Sequence, residues 1–190
     1  LYPFLTTTND SNTRLSIFKI FNLTLIKSSV SLRPKFLLEM ETFILKSLPK
    51  LSNREMEEAI QLAWLITKEK RDSQRVIKAC FSCLKHLSHY IKIVAKNPAK
   101  VVCDGKLQRL LHMSTGFARY CEIANDNGEH SDQLKPNEKV YEYVTKCLLM
   151  FTKQKVDNSV RALAIKNLAN LCSSRPKLFN SSHVLSVFDH

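Results

Sequence analysis

The sequence predicts an all-α fold of stacked helical pairs, and three observations carry that prediction. Apolar residues recur at helical spacing in eight separate stretches. Only three glycines and six prolines interrupt the chain, too few for the regular punctuation of a sheet-rich fold. The hydrophobic share of 44% suffices for a continuous core in 190 residues.

The first stretch, about 10–30, places Leu15, Phe18, Phe21, Leu25 and Ile26 on one face. Arg33-Pro34 breaks it, and Pro34 opens a second helix as a favourable first-turn residue. That helix carries Phe36, Leu37, Met40, Phe43, Ile44 and Leu48, and ends near Pro49. Ser52-Asn53-Arg54-Glu55 is a capping box that starts a helix bearing Met56, Ile60, Ala63, Trp64 and Ile66. Asp72 or Ser73 caps the next helix, which runs to about Ala95 before Asn97-Pro98 ends it. Another follows from Gly105 to about Ala124, and then an acidic, glycine-containing loop over 125–133. Pro136 is expected to open a helix ending near Lys153; Asp157 caps 158–173, and Ser181 or Ser182 caps a last, truncated one.

Paired helices of this length give a period of roughly 40 residues. The clearest copy is Asp157, Val160, Arg161, Ala164, Leu168 and Leu171. A second, Asp72, Val76, Ala79-Cys80, Leu84 and Leu87, overlays it with one residue added before the Val, and Asp10 to Leu25 is a weaker third. In such units the Asp caps the helix, the apolar positions bury one stripe, and the Arg can reach the neighbouring repeat. This is HEAT-repeat patterning. It implies an α-solenoid of about four pairs (about 1–50, 51–96, 105–153 and 157–190), a fragment of a longer hook-shaped superhelix. The start at Leu1 without a methionine and the stop at Phe188-Asp189-His190, read as mid-helix, are expected of a piece of a larger protein.

No segment reaches the roughly 18–20 consecutive apolar residues of a membrane span, so no membrane partner is expected. Cys80, Cys83, Cys103, Cys121, Cys147 and Cys172 fall mostly in apolar helical registers and read as reduced core residues of a cytosolic or nuclear protein. Asn22-Leu23-Thr24 and Asn180-Ser181-Ser182 match the glycosylation pattern, the first inside a helix. The formal charge is +12, spread evenly along the chain, which suits an elongated molecule near nucleic acid.

Cys80, Cys83, His86 and His89 look like a zinc set, but at three-residue steps on one helix they rotate about 60° apart and cannot share a tetrahedral ion. No phosphate loop or nucleophile elbow is present. Glu55, Glu57 and Glu58 sit where they favour a helix dipole. Glu122, Asp126, Glu129 and Asp132 lie in or beside a loop without the calcium-binding pattern. No catalytic residue, metal, cofactor or small-molecule substrate is expected.

The suggestive cluster is basic. Lys85, Lys92, Lys96, Lys100, Lys106 and Arg109 face only Asp104 among acids in their window, and Lys85, Lys92 and Lys96, with His89, form one helical stripe. The stripe reads either as a solvated helix face or as a ridge that tracks duplex phosphates without sequence preference. Few aromatics interleave, against single-strand stacking. Arg119 and Arg161 are each either an inter-repeat anchor or a partner contact.

Further residues carry a resemblance. Gly116-Phe117-Ala118-Arg119-Tyr120-Cys121, the acidic loop, the run from Val140 to Lys153, Val160 with Ala164-Ile165 and Leu168, and Arg175-Pro176 with Leu178-Phe179 follow one another in a characteristic order. Leu1-Tyr2-Pro3-Phe4-Leu5 and Cys80-Phe81-Ser82-Cys83-Leu84 align upstream. The ensemble resembles the C-terminal HEAT region of cohesin loaders of the Nipped-B (adherin) family, strongly over 110–180. The chain departs from the family between Ile93 and Gly105, where its linker is short.

The resemblance implies a nuclear, chromosome-associated scaffold. Its partners would be cohesin, through the kleisin and ATPase-head subunits, a small loader subunit, and duplex DNA; stimulation of cohesin's ATPase is implied as well. The alternative is a HEAT-repeat nuclear-transport or other protein-interaction scaffold that does not bind DNA. Carriers of basic signals need acidic inner surfaces, and +12 argues against them. An RNA-reading repeat would need a recurrent polar-aromatic triplet, and none recurs.

Overall fold

The computed structural model describes residues 2–27, 32–126 and 133–188, and over these the chain is all-α. The helices are α1 (Tyr2–Thr7), α2 (Ser11–Lys27), α3 (Pro34–Ser47), α4 (Asn53–Lys70), α5 (Gln74–Lys96), α6 (Gly105–Tyr120), α7 (Val140–Phe151), α8 (Asn158–Ser174) and α9 (Ser182–Phe188). Short 3-10 turns occupy Leu48–Lys50, Pro98–Lys100 and Pro176–Asn180. Among the described residues no strand forms, and no helix is long and apolar enough to cross a membrane. The packing divides the chain into two compact units, Leu1–Ala79 and Cys80–His190.

In the first unit α4 packs against both α2 and α3, and α1 packs on α2. Ser52 caps α4 and completes the expected box: its hydroxyl accepts from Glu55 N at 3.4 Å, and the Glu55 carboxylate accepts from Ser52 N at 2.8 Å. Pro34 opens α3 as read from the sequence. The inward row of α2 differs from the expected one. Ile17, Phe18, Phe21 and Asn22 are buried, whereas Ile26 is 56% exposed. Helix α2 carries apolar residues round its whole circumference, so spacing alone does not select the packed face.

The second unit is built on mutual packing of α6, α7 and α8, with α9 resting on α7 and on the Pro176–Asn180 turn. Leu107, Leu111, Phe117, Val144, Leu148, Phe151 and Leu168 are fully buried between them. Asp104 caps α6 through Leu107 N at 2.6 Å. Asp157 caps α8 through Ser159 N and Val160 N at 2.9 and 3.2 Å.

The two sequence copies share one pattern of burial and capping. Val76, Cys80, Leu84 and Leu87 in α5 match Val160, Ala164, Leu168 and Leu171 in α8, and all eight are 0% exposed. Asp72 and Asp157 each accept a bond from the N–H two residues on. Cys80, not Ala79, holds the small-residue position.

Two helix ends are corrected. Helix α6 stops at Tyr120, short of Ala124, and α7 begins at Val140, not at Pro136. Buried Asn125 is the reason. Its backbone N–H donates to Glu138 O at 3.0 Å, its carbonyl accepts from Asn137 N at 2.7 Å, and its Nδ2 donates to Leu134 O at 2.9 Å. Ile123 O accepts from Val140 N at 2.9 Å, so residues on either side of the loop pair in extended form. Asn137 turns the chain with φ 61°, a left-handed conformation that Asn tolerates. Most of the acidic loop expected over 125–133 lies outside the described residues.

Candidate functional site

Helix α5 turns its apolar residues inward, with Cys80, Cys83, Leu84, Leu87 and Val94 buried. This fixes the opposite face, on which Lys85, His89, Lys92 and Lys96 are exposed. Lys85, Lys92 and Lys96 fall within about 40° of one another around the helix, so their ammonium groups share a ridge. Lys100 is exposed in the 3-10 turn after α5, and Lys106 and Arg109 are exposed in the N-terminal turns of α6. The six candidates thus sit on three consecutive elements, and the three lysines of α5 share a single helix face.

Asp104, the acid expected to offset these charges, is committed elsewhere. Its Oδ1 accepts from Leu107 N at 2.6 Å, and its Oδ2 accepts from the Tyr90 hydroxyl at 3.4 Å. Partial burial, then the Asp104 charge, raise the Tyr90 pKa and keep the phenol protonated as donor. The carboxylate therefore holds the start of α6. A row of exposed cations of this kind can follow a phosphate backbone.

The Cys80–His89 set separates. Cys80 and Cys83 are buried, and His86 and His89 are exposed on the other side of α5. Burial raises the Cys83 and Cys147 thiols, each to about 12. Cys80 is pushed well above its ordinary value by burial and by the neighbouring Cys121 and Cys83. These thiols are held as neutral apolar packing groups.

Of the two candidate arginines, Arg119 is half-buried with its guanidinium 5.0 Å from the Tyr120 ring centre. Arg161 donates to Asn158 Oδ1 at 3.2 Å, a bond within the first turn of its own helix. Arg175 ties helices together: its Nε donates to Ala118 O in α6 at 2.9 Å while its guanidinium stacks 4.5 Å from the Tyr141 ring of α7. A basic residue at a helix end before a proline marked it in sequence, but nothing local indicated its partners. In the first unit, Arg14 to Glu55 at 2.7 Å and Lys70 to Glu41 at 2.6 Å play the same part. The Asn22 Nδ2 donates to Glu58 O and Oε2 at 3.0 and 2.8 Å, so the glycosylation pattern there marks a buried packing residue.

No family model matches the chain. It is 42% identical over 189 residues to sister chromatid cohesion protein 2 of Saccharomyces cerevisiae, a match that covers 100% of this chain and 12% of that protein. Its fold is similar to a solved structure described as the Chaetomium thermophilum cohesin loader SCC2, C-terminal fragment. The TM-score is 0.76 and the identity 14%, over 98% of this chain and 14% of that one. The chain thus spans about an eighth of the length of the curated relative.

Proposed function

The chain belongs, over its whole length, to the family of sister chromatid cohesion protein 2, and from that premise we propose that it is a non-catalytic binding segment of a cohesin-loading factor. The full-length match carries this reading, and the shared helical fold supports it. On this reading the segment works in the nucleus on chromosomes, beside a small loader subunit. It offers surface to cohesin's kleisin and ATPase heads, and so supports stimulation of an ATPase whose chemistry belongs to cohesin.

Duplex DNA is the partner assigned to the lysine ridge. Lys85, Lys92 and Lys96 supply one row of cations, with Lys100, Lys106 and Arg109 on the elements that follow. Cations placed in this way neutralise phosphates, release counterions and read no bases. Arg119 and Arg161 are each either an inter-repeat anchor or a contact with a protein partner.

The test is duplex binding by the full-length protein across a salt series, with the three α5 lysines intact or all changed to Glu. The slope of log affinity against log salt is expected to flatten by about 0.9 for each phosphate that is no longer neutralised. An unchanged slope and affinity would remove DNA from this face and leave binding to cohesin as its work.

A further inference from the structure

Two concavities of the second unit, about 320 and 460 Å³, share a wall made by Tyr141 and Arg175. The first opens past Ile123 and Lys139, the second past Lys177 and Leu178. These are volumes at the low end of ligand clefts; Lys139 and Arg175 line the first with one carboxylate, Glu122, and Arg175 and Lys177 line the second with one, Glu142, so cations outnumber acids in each.

Arg175 is unusually well positioned for a surface arginine. Its Nε is spent on the Ala118 carbonyl at 2.9 Å, and the Tyr141 ring lies against its face. Those two interactions fix the plane of the guanidinium. Among the described residues no carboxylate pairs with it, and its two terminal nitrogens donate no hydrogen bond. The Glu142 carboxylate, on the wall of the second concavity, accepts from Lys139 N at 3.3 Å and makes no ion pair with Arg175. A planar, pre-ordered guanidinium with its outer fork open is the arrangement that takes a carboxylate through two parallel bonds.

We propose that this double concavity docks an extended acidic segment of a protein partner, with a Glu or Asp carboxylate on Arg175. Lys139 and Lys177 meet further acidic side chains on either side, and the half-buried Leu178 receives an apolar neighbour of the bound residue. The half-buried setting of Arg175 suits an inserted side chain better than a duplex, whose phosphates need cations that project from a ridge. The site stands on the ends of α6, α7 and α8 and on the Pro176–Asn180 turn, and does not depend on whether the lysines of α5 touch DNA.

The experiment uses the full-length protein and a short fluorescein-labelled peptide alternating Glu with Leu, with a Gln-for-Glu peptide as control. Anisotropy should show binding of the Glu peptide only. Affinity should fall about tenfold in Arg175→Gln, as expected when a charge-assisted pair is removed. It should fall several-fold in Lys177→Glu, an exposed position at which the fold is not at stake. The Lys85→Glu, Lys92→Glu, Lys96→Glu protein should bind the peptide as the wild type does. Equal binding of both peptides overturns the proposal, and so does Glu-peptide affinity unaltered by both Arg175→Gln and Lys177→Glu. Peptide binding that duplex DNA displaces, and that is abolished in the triple-lysine variant, also overturns it by placing the peptide on the ridge. Should Arg175→Gln unfold by circular dichroism, Lys177→Glu decides alone.

Discussion

Arg14 and Glu55 lie forty-one residues apart in sequence and meet at 2.7 Å, where α2 crosses the start of α4. The Glu55 side chain is 1% exposed, and its second oxygen already accepts from Ser52 N at 2.8 Å. Arg14 also donates through Nη1 to Thr8 O at 2.8 Å, so one guanidinium holds the link after α1, helix α2 and the cap of α4. The capping box does more than start a helix: it presents a buried carboxylate that only the neighbouring helix can neutralise.

Loss of one member should therefore cost more than a surface pair would. Arg14→Ala leaves Glu55 buried beside its cap and is expected to destabilise the fold by about 3 kcal/mol. Urea denaturation of Arg14→Ala, Glu55→Gln and the double variant should show coupling of about 1–3 kcal/mol. Strict additivity would mean the two side chains do not act on each other.

The same carboxylate sets an acid limit. Burial raises the Glu55 pKa, but bonds from Ser52, Ser11 and Arg14 outweigh it and leave the group below its ordinary value. A carboxyl with a lowered folded pKa stabilises the fold above its unfolded pKa of about 4.3, and that contribution is lost as pH falls toward the folded value. Stability measured from neutral pH downward should drop less steeply below about pH 4.5 in Glu55→Gln than in the wild type. Parallel profiles would contradict this.

Asn22 should tolerate neither charge nor glycan. Its amide nitrogen reaches the Glu58 carbonyl and carboxylate, and the residue is 4% exposed. Asn22→Asp sets an acceptor against both and is expected to cost about 2–4 kcal/mol, against about 1–2 for Asn22→Ala. Thermal melts of the two variants compare them directly. Equal losses would mean the Glu58 interactions carry no weight.

The cysteines divide by burial. Cys80, Cys83, Cys121, Cys147 and Cys172 are buried, and Cys103 alone is half-exposed. Brief iodoacetamide treatment of the native protein should alkylate Cys103 first, although burial and nearby Asp157 and Asp104 raise its pKa somewhat. Peptide mass spectrometry reads the site. Early modification of Cys83 or Cys147 would show that α5 or α7 opens readily.

Local chemistry was legible where both partners lie within one turn. Ser52 with Glu55, Asp157 with the N–H groups of α8, and Pro34 at the head of α3 need only the sequence around them. The lysine stripe of α5 was legible for the same reason, since four- and seven-residue steps recur on one helix face. Pro136 misled because proline suits a turn as well as a first helical residue, and the choice was made by the pairing of Asn125 with Glu138. In α2 the apolar residues surround the axis, so period could not say that Asn22 faces inward while Ile26 faces out.

Caps and amphipathic period act over a few residues, so the helical class, most helix starts and the side of α5 on which its lysines stand follow from the order of residues alone. That Arg14 neutralises Glu55, that Lys70 neutralises Glu41, and that Arg175 bridges Ala118 and Tyr141 with its outer fork open emerges from the packed fold. Those pairs join residues far apart in the chain, and only packing that excludes water from one partner chooses which charge must meet which.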